Sequence, residues 1–340
     1  MNGESGKLKA IVVVLAVATV AALGLVSRRL WIVAGEPENA VVKADAVKPQ
    51  AAGTTDEDRI DAVISAAAEY GQRQEWGNAE AILKEAANQF PDVQRVRLAY
   101  AECLIKQKKL SDAFSVFEKA LVLGEVDSKT HITIGTLANM LGKLERAEEQ
   151  YAAVLVKDKT NADAPLFLGQ ILMKQGKLDE AKGNLLIAGR LTPLRSVVWG
   201  TLAEISLREN KLEIAAQHLK KARELEPEIV EWKLMEARLM NRQQKPERAL
   251  EVLLGLDSSK RTLPAAARLS AESYGMLGKK TEAAAVLAAA SDASPADGEL
   301  ALEAALAMER SGDTIAAAGF AQRAEKAGNA AAKAVVERLK

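Results

Sequence analysis

The sequence predicts an all-α protein, a solenoid of helix-turn-helix repeats, and three observations predict it. Alanine recurs with a constant 34-residue step, at Ala79, Ala113, Ala147, Ala181, Ala215, Ala249, Ala283 and Ala317. A fixed period of this length is the mark of stacked helical hairpins, each of which can bury its apolar stripe only against its neighbours. Five residues before these alanines stand Gly142, Gly176, Gly278 and Gly312, with Asn210 in the matching place. Glycine and asparagine tolerate the left-handed backbone that ends a helix in a tight turn. Finally, the chain is rich in Ala, Leu, Glu, Lys and Arg, all good helix formers, and only 4% of it is aromatic.

Taken in order, residues 1–9 are a short tail carrying Lys7 and Lys9. An uncharged run follows from Ala10 to Val26, in which ten of seventeen residues are Ile, Val or Leu, closed by Arg28 and Arg29. Seventeen helical residues rise about 25 Å, the short end of a membrane span, and flanking Lys and Arg can snorkel to cover the deficit. No small-x-small pair follows the run, so it reads as an uncleaved transmembrane anchor rather than a removed signal. The positive-inside comparison is close to a tie. A short tail with an upstream positive cluster reads as a signal-anchor, which puts the rest of the chain outside the cytoplasm, in a bacterial envelope. Residues 27–54, with Pro37, Pro49 and scattered small residues, lack helical or strand periodicity and read as a flexible linker.

Thr55 can cap the first helix, with Asp56, Glu57 and Asp58 at the positive end of its dipole. The span 60–331 then holds eight 34-residue periods without insertion, and the repeats are assigned to 55–331. Each reads as helix A, a tight turn, helix B and a short link. Seven residues after the periodic alanine comes a second small site: Ala86, Ala120, Ala188, Ala222, Ala290 and Ala324, with Val154 and Leu256 as exceptions. Pro91, Pro193, Pro227 and Pro295 end helix B. The sixth repeat departs most: Glu236 stands at an apolar position, Pro246 enters early helix B, and Leu256 precedes a run of polar residues. A shortened helix B is expected there. Ala332, Val335, Val336 and Leu339 make the apolar stripe of a C-terminal capping helix that ends over residues 332–340.

These landmarks resemble the tetratricopeptide repeat. The fourth repeat matches its pattern with Leu168, Gly169, Gly176, Ala181, Ala188 and Pro193. The third supplies Ile134, Gly135, Gly142, Ala147 and Tyr151, and the fifth Trp199, Leu202, Ala215, Ala222 and Pro227. The resemblance implies a right-handed superhelix whose helix A row lines a concave groove for protein or peptide partners. The family's carboxylate clamp for chaperone tails is not matched, because Ile64 and Ala68 occupy its first two places.

Other chemistries find no support in the residues. Residues 1–59 carry seven basic and seven acidic side chains, which leaves the repeats balanced at 39 against 39 and excludes a nucleic-acid partner held by net charge. Cys103 is the lone cysteine, and His131 and His218 fall on different repeats without ligand-spaced neighbours. No catalytic, metal or cofactor site is expected, and the chain reads as a scaffold rather than an enzyme.

What remains is the groove. Thr133, Thr136 and Asn139 fall at i, i+3 and i+6, and Phe167, Gln170 and Met173 repeat that spacing one period on. Further along, Glu204, Arg208 and Arg238 add charge. An apolar, uncharged stretch followed by arginines suits a peptide bearing acidic groups. The expected function is therefore a membrane-anchored adaptor for envelope proteins. The alternatives are a self-assembling solenoid and an accessory subunit of an export or enzyme complex.

Overall fold

The computed structural model describes residues 55–339. Every regular element among them is a helix, eighteen in all. The chain divides into two compact units, one ending at Asp158 and the other beginning at Lys159. The first unit contains α1 (Asp56–Gln72), α2 (Trp76–Gln89), α3 (Gln94–Lys106), α4 (Leu110–Leu123), α5 (Ser128–Met140) and α6 (Leu144–Lys157). The second opens with α7 (Asp163–Lys174), α8 (Leu178–Leu191), α9 (Ser196–Arg208), α10 (Leu212–Leu225), α11 (Val230–Arg242) and α12 (Pro246–Leu254). It closes with the single-turn α13 (Ser258–Arg261), then α14 (Pro264–Met276), α15 (Lys280–Ala293), α16 (Gly298–Ser311), α17 (Thr314–Lys326) and α18 (Ala332–Arg338).

The second helix of each pair begins at residue 76, 110, 144, 178, 212, 246, 280 or 314, an unbroken 34-residue step. A repeated turn sets this register. Two residues before each of these starts the backbone is left-handed, at Gln74, Lys108, Gly142, Gly176, Asn210, Gln244, Gly278 and Gly312. The next amide bonds back five residues to close the turn, as in Lys143 N to Ala138 O at 2.8 Å and Lys245 N to Met240 O at 2.9 Å. Glycine or asparagine was expected at five of these eight places. The other three are held by Gln74, Lys108 and Gln244, whose Cβ makes a left-handed residue unfavourable by about 1–2 kcal/mol.

Small residues let the helices close. Seven of the eight periodic alanines are buried, but Ala283 is only half-buried and Ala284 takes its place in the interface. The Ala283–Ala285 run offers alanine at consecutive positions, so sequence cannot tell which one faces inward. All eight second small sites are buried, including Val154 and Leu256. Glycines in first helices accept large neighbours. A Cβ on Gly135 would lie 2.8 Å from the Tyr151 ring, and one on Gly169 2.7 Å from Leu185 and 3.1 Å from the Ala181 carbonyl. At Gly200 the Trp232 ring would be only 2.1 Å away. Links reuse one device: the Pro91 carbonyl accepts from Arg97, and the Pro193 carbonyl, three periods on, accepts from the Trp199 indole at 3.0 Å.

Both ends are capped by side chains. Thr55 and Asp58 form a reciprocal capping box on α1. At the other end Ala332, Val335 and Val336 are buried against Ala305 and Ala321 or their neighbours. The sixth pair is shortened as expected: α12 has 9 residues where the other second helices have 13 or 14.

One expectation is overturned. Among the described residues no helix is long and apolar enough to cross a membrane. The longest, α1, has 17 residues and carries six charges (Asp56, Glu57, Asp58, Arg59, Asp61 and Glu69). The single-pass, membrane-anchored localisation with exported repeats is corrected accordingly, and the envelope role that rested on it is dropped. The segment 10–26 read as the span lies outside the described residues, as do the tail 1–9 and the linker 27–54.

Candidate partner-binding face

The nine residues expected in the groove divide between the two units. Thr133, Thr136 and Asn139 lie on α5 in the first, and all three are half-buried. The two hydroxyls are turned to internal work. Thr133 Oγ1 donates to the Lys129 carbonyl at 3.0 Å, and Thr136 Oγ1 donates to the Ile132 carbonyl at 2.8 Å. With its proton committed there, Thr136 accepts from the Tyr151 hydroxyl at 3.1 Å. Burial pushes the Tyr151 phenol up to about 12. Thr136 is thus a partner for a buried phenol as much as a surface contact. Tyr151 could have been foreseen in this role only by knowing which face of α6 meets α5.

The second unit gathers the remaining six. Phe167, Gln170 and Met173 form a half-buried row on α7. Glu204 on α9 receives Arg208 Nε at 3.2 Å, one helical turn away, and Arg238 Nη1 of α11 at 2.9 Å. The carboxylate therefore bridges two guanidiniums and leaves the group with one net positive charge. Arg208 also donates through Nη1 to the Met173 carbonyl at 3.1 Å, which ties the charged group to the end of the apolar row. Both arginine side chains stay a little under half exposed, so they retain donors for a ligand. Arg242, one turn beyond Arg238 on α11, is exposed and extends the cationic end. The sequence placed Glu204 on this face but gave no sign that it would hold Arg238, a full repeat further along, because that pairing needs adjacent first helices to stack in register.

The other chemistry-bearing residues are structural. Cys103 is buried, bonded to the Trp76 carbonyl at 3.5 Å, and burial pushes its thiol up. His131 is buried with Nδ1 2.9 Å from Gln150 Oε1, so that nitrogen donates. His218 packs by Trp199, and burial holds its imidazole below its ordinary value. No group of metal-ligating side chains is found among the described residues.

The second unit thus presents an open row of first-helix side chains with this charged group at one end. A family model for the tetratricopeptide repeat matches residues 72–121 and 138–205, so these two stretches are similar to tetratricopeptide repeats. The chain is 28% identical over 123 residues to the low calcium response locus protein H of Yersinia pestis, across 36% of this chain and 69% of that protein. Among solved structures it is similar to the APC/C hetero-tetramer Cut9-Hcn1, with a TM-score of 0.52 and 14% identity over 82% of this chain and 55% of the other. It is also similar to YrrB, described as a TPR protein with an unusual peptide-binding site, with a TM-score of 0.49, 20% identity and coverage of 52% and 92%. At such identities the structural likeness is one of fold.

Proposed function

We propose that this protein is a tetratricopeptide adaptor in which all eight helix pairs count as repeats, and that the first-helix face of its second unit binds an acidic peptide segment of a protein partner. Phe167 and Met173 supply apolar contact, Gln170 a donor and acceptor for the peptide backbone, and Arg208, Arg238 and Arg242 the cations. The observation that carries this reading is the bond from Arg208 to the Met173 carbonyl at 3.1 Å, which makes apolar row and charged group one continuous surface. Glu204 serves to hold the two arginines in place, so that a ligand carboxylate meets guanidiniums already oriented.

The test is affinity capture with the whole chain, followed by titration of the recovered partner against variants. Phe167→Ala should weaken binding by at least ~1 kcal/mol, as loss of a packed aromatic anchor commonly does. Arg208→Glu should chiefly slow association and flatten its salt dependence. A partner whose affinity ignores both changes refutes the site. Self-association remains the rival: a mass in light scattering that is a multiple of the chain, lowered by Phe167→Ala, would turn the same face into a contact between copies.

A further inference from the structure

A separate groove runs between α10 and α11, with a volume of about 450 Å³. Ala216, Leu219, Pro227 and Met240 give it apolar walls. Across it lies an ion pair between Arg223 of α10 and Glu236 of α11. Glu236 breaks the repeat. The Arg223 place is uncharged one and two periods earlier, at Gly189 and Leu155, and varies later, with Asp257, Ser291 and Glu325. In the Glu236 place the chain has Tyr100, Ile134, Leu168, Leu202, Ser270 and Ala304. A glutamate has thus entered an inter-repeat interface opposite an arginine, where a well-packed apolar pair is commonly as stable or more so.

Their bonding is incomplete. One guanidinium nitrogen meets one carboxylate oxygen, which leaves Arg223 Nε and Glu236 Oε2 shielded from water and without a partner. Trp232, one turn before Glu236 on α11, has a buried indole N–H that is also unanswered. A donor and an acceptor left over on two side chains already in contact are complementary to the C=O and N–H of one residue in an extended segment, which point to the same side and offer a carbonyl to the first and an N–H to the second. Buried polar atoms without partners are rare enough in folded proteins to ask for an occupant. The Arg223 side chain is 38% exposed, so its rotation can open both atoms to the groove.

From this pair we infer that the α10–α11 groove is a second binding site, specific for an extended peptide segment that seats an apolar side chain against Leu219 and Met240 and the backbone C=O and N–H of one residue on Arg223 and Glu236. The volume lies in the usual range of small-ligand sites, roughly 300–1,000 Å³. The site is independent of the first-helix face, since Arg208, Arg238 and Phe167 are not among the residues lining the groove.

The probe is N-acetyl-leucine methylamide, titrated into the full chain carrying ¹³C-methyl methionine, with the Met240 signal assigned by Met240→Leu. The Met240 resonance should shift saturably, and O-acetyl-leucic acid methylamide, the ester analogue in which an oxygen replaces the leucine N–H, should bind about tenfold more weakly, the loss of one hydrogen bond to a charged group. Ala216→Phe, which fills the groove and keeps the ion pair, should abolish the shift, and Phe167→Ala should leave it unchanged. The double variant Arg223→Leu, Glu236→Leu should melt no lower than the parent yet lose the preference for amide over ester. A Met240 signal that does not saturate, or equal binding of amide and ester by the parent, overturns the inference and leaves the pair as a structural contact.

Discussion

Gly200→Ala is a small substitution with a sign that the structure decides. Gly200 lies inside α9, where alanine ordinarily stabilises a helix by about 0.5–1 kcal/mol over glycine. Here the added Cβ would lie 2.1 Å from two carbons of the Trp232 ring and 2.9 Å from a third. Carbon atoms settle at about 3.5–4.0 Å, so the indole would have to retreat by roughly 1.5 Å. Trp232 is 6% exposed and packs with Ala203, Leu207, Leu219 and Leu239, which leaves it little room. Overpacking of this kind costs about 1–3 kcal/mol, so the variant should be destabilised by roughly 1–2 kcal/mol after the helix gain is set against it. Gly319→Ala and Gly183→Ala serve as controls, because a Cβ there meets nothing within 4 Å. Both should stabilise by up to about 1 kcal/mol. Urea unfolding of the full chain, followed by far-ultraviolet dichroism and tryptophan fluorescence, would show opposite shifts of midpoint at unchanged slope. If Gly200→Ala raised the midpoint as the controls do, the close seat of Trp232 on α9 would be wrong.

Other expectations follow from the same packing. Ala181, fully buried, should lose about 1–3 kcal/mol on conversion to leucine, whereas the exposed Ala331 should accept the same change within about 0.5 kcal/mol, by thermal melting. Lys108→Gly and Gln244→Gly should each stabilise by about 1 kcal/mol in urea melts, because they relieve a left-handed residue bearing a Cβ. The folded-state value of Tyr151 lies above the ordinary 10, so its contribution is intact below pH 10 and is lost as pH rises towards about 12. Roughly 2–3 kcal/mol should disappear across that window in the parent relative to Tyr151→Phe, measured as the difference of urea midpoints from pH 9 to 12.

The helical register was legible because it is written in residues whose properties are local. The turn glycines Gly142, Gly176, Gly278 and Gly312 favour the left-handed backbone by themselves, and each is found there. Gln74, Lys108 and Gln244 carry no such preference, and they adopt it because the helices on either side, and the amide that closes the turn, leave no other path. The shift of burial from Ala283 to Ala284 is of the same kind, since only the opposing surface of α14 chooses between neighbouring alanines. On the candidate face the spacing of Phe167, Gln170 and Met173 put them in one row of α7, but nothing in the sequence shows that the Thr136 hydroxyl bonds Tyr151. The Glu204–Arg238 contact and the Arg223–Glu236 pair were hidden for a further reason. Each joins side chains from different hairpins, and only the stacking of one hairpin on the next brings them together.

The short α12 bears on how the array would fail. Hairpins stacked in a line share load in series, and a series parts at its weakest joint rather than at its average one. With 9 residues against 14 in α10, α12 gives up about 7.5 Å of rod, more than one turn of the surface by which a second helix grips its neighbours. Asn241 of α11 compensates in part, through bonds to Ser273 at 2.8 Å and Glu272 at 3.1 Å of α14. These directional latches supplement the apolar seam of Ala237, Ala249, Leu253, Leu256, Ala266 and Leu269, and latches let go abruptly once bent out of line. Pulled from its ends, the second unit should therefore break at the sixth hairpin first and release α7–α11 as one piece and α14–α18 as another.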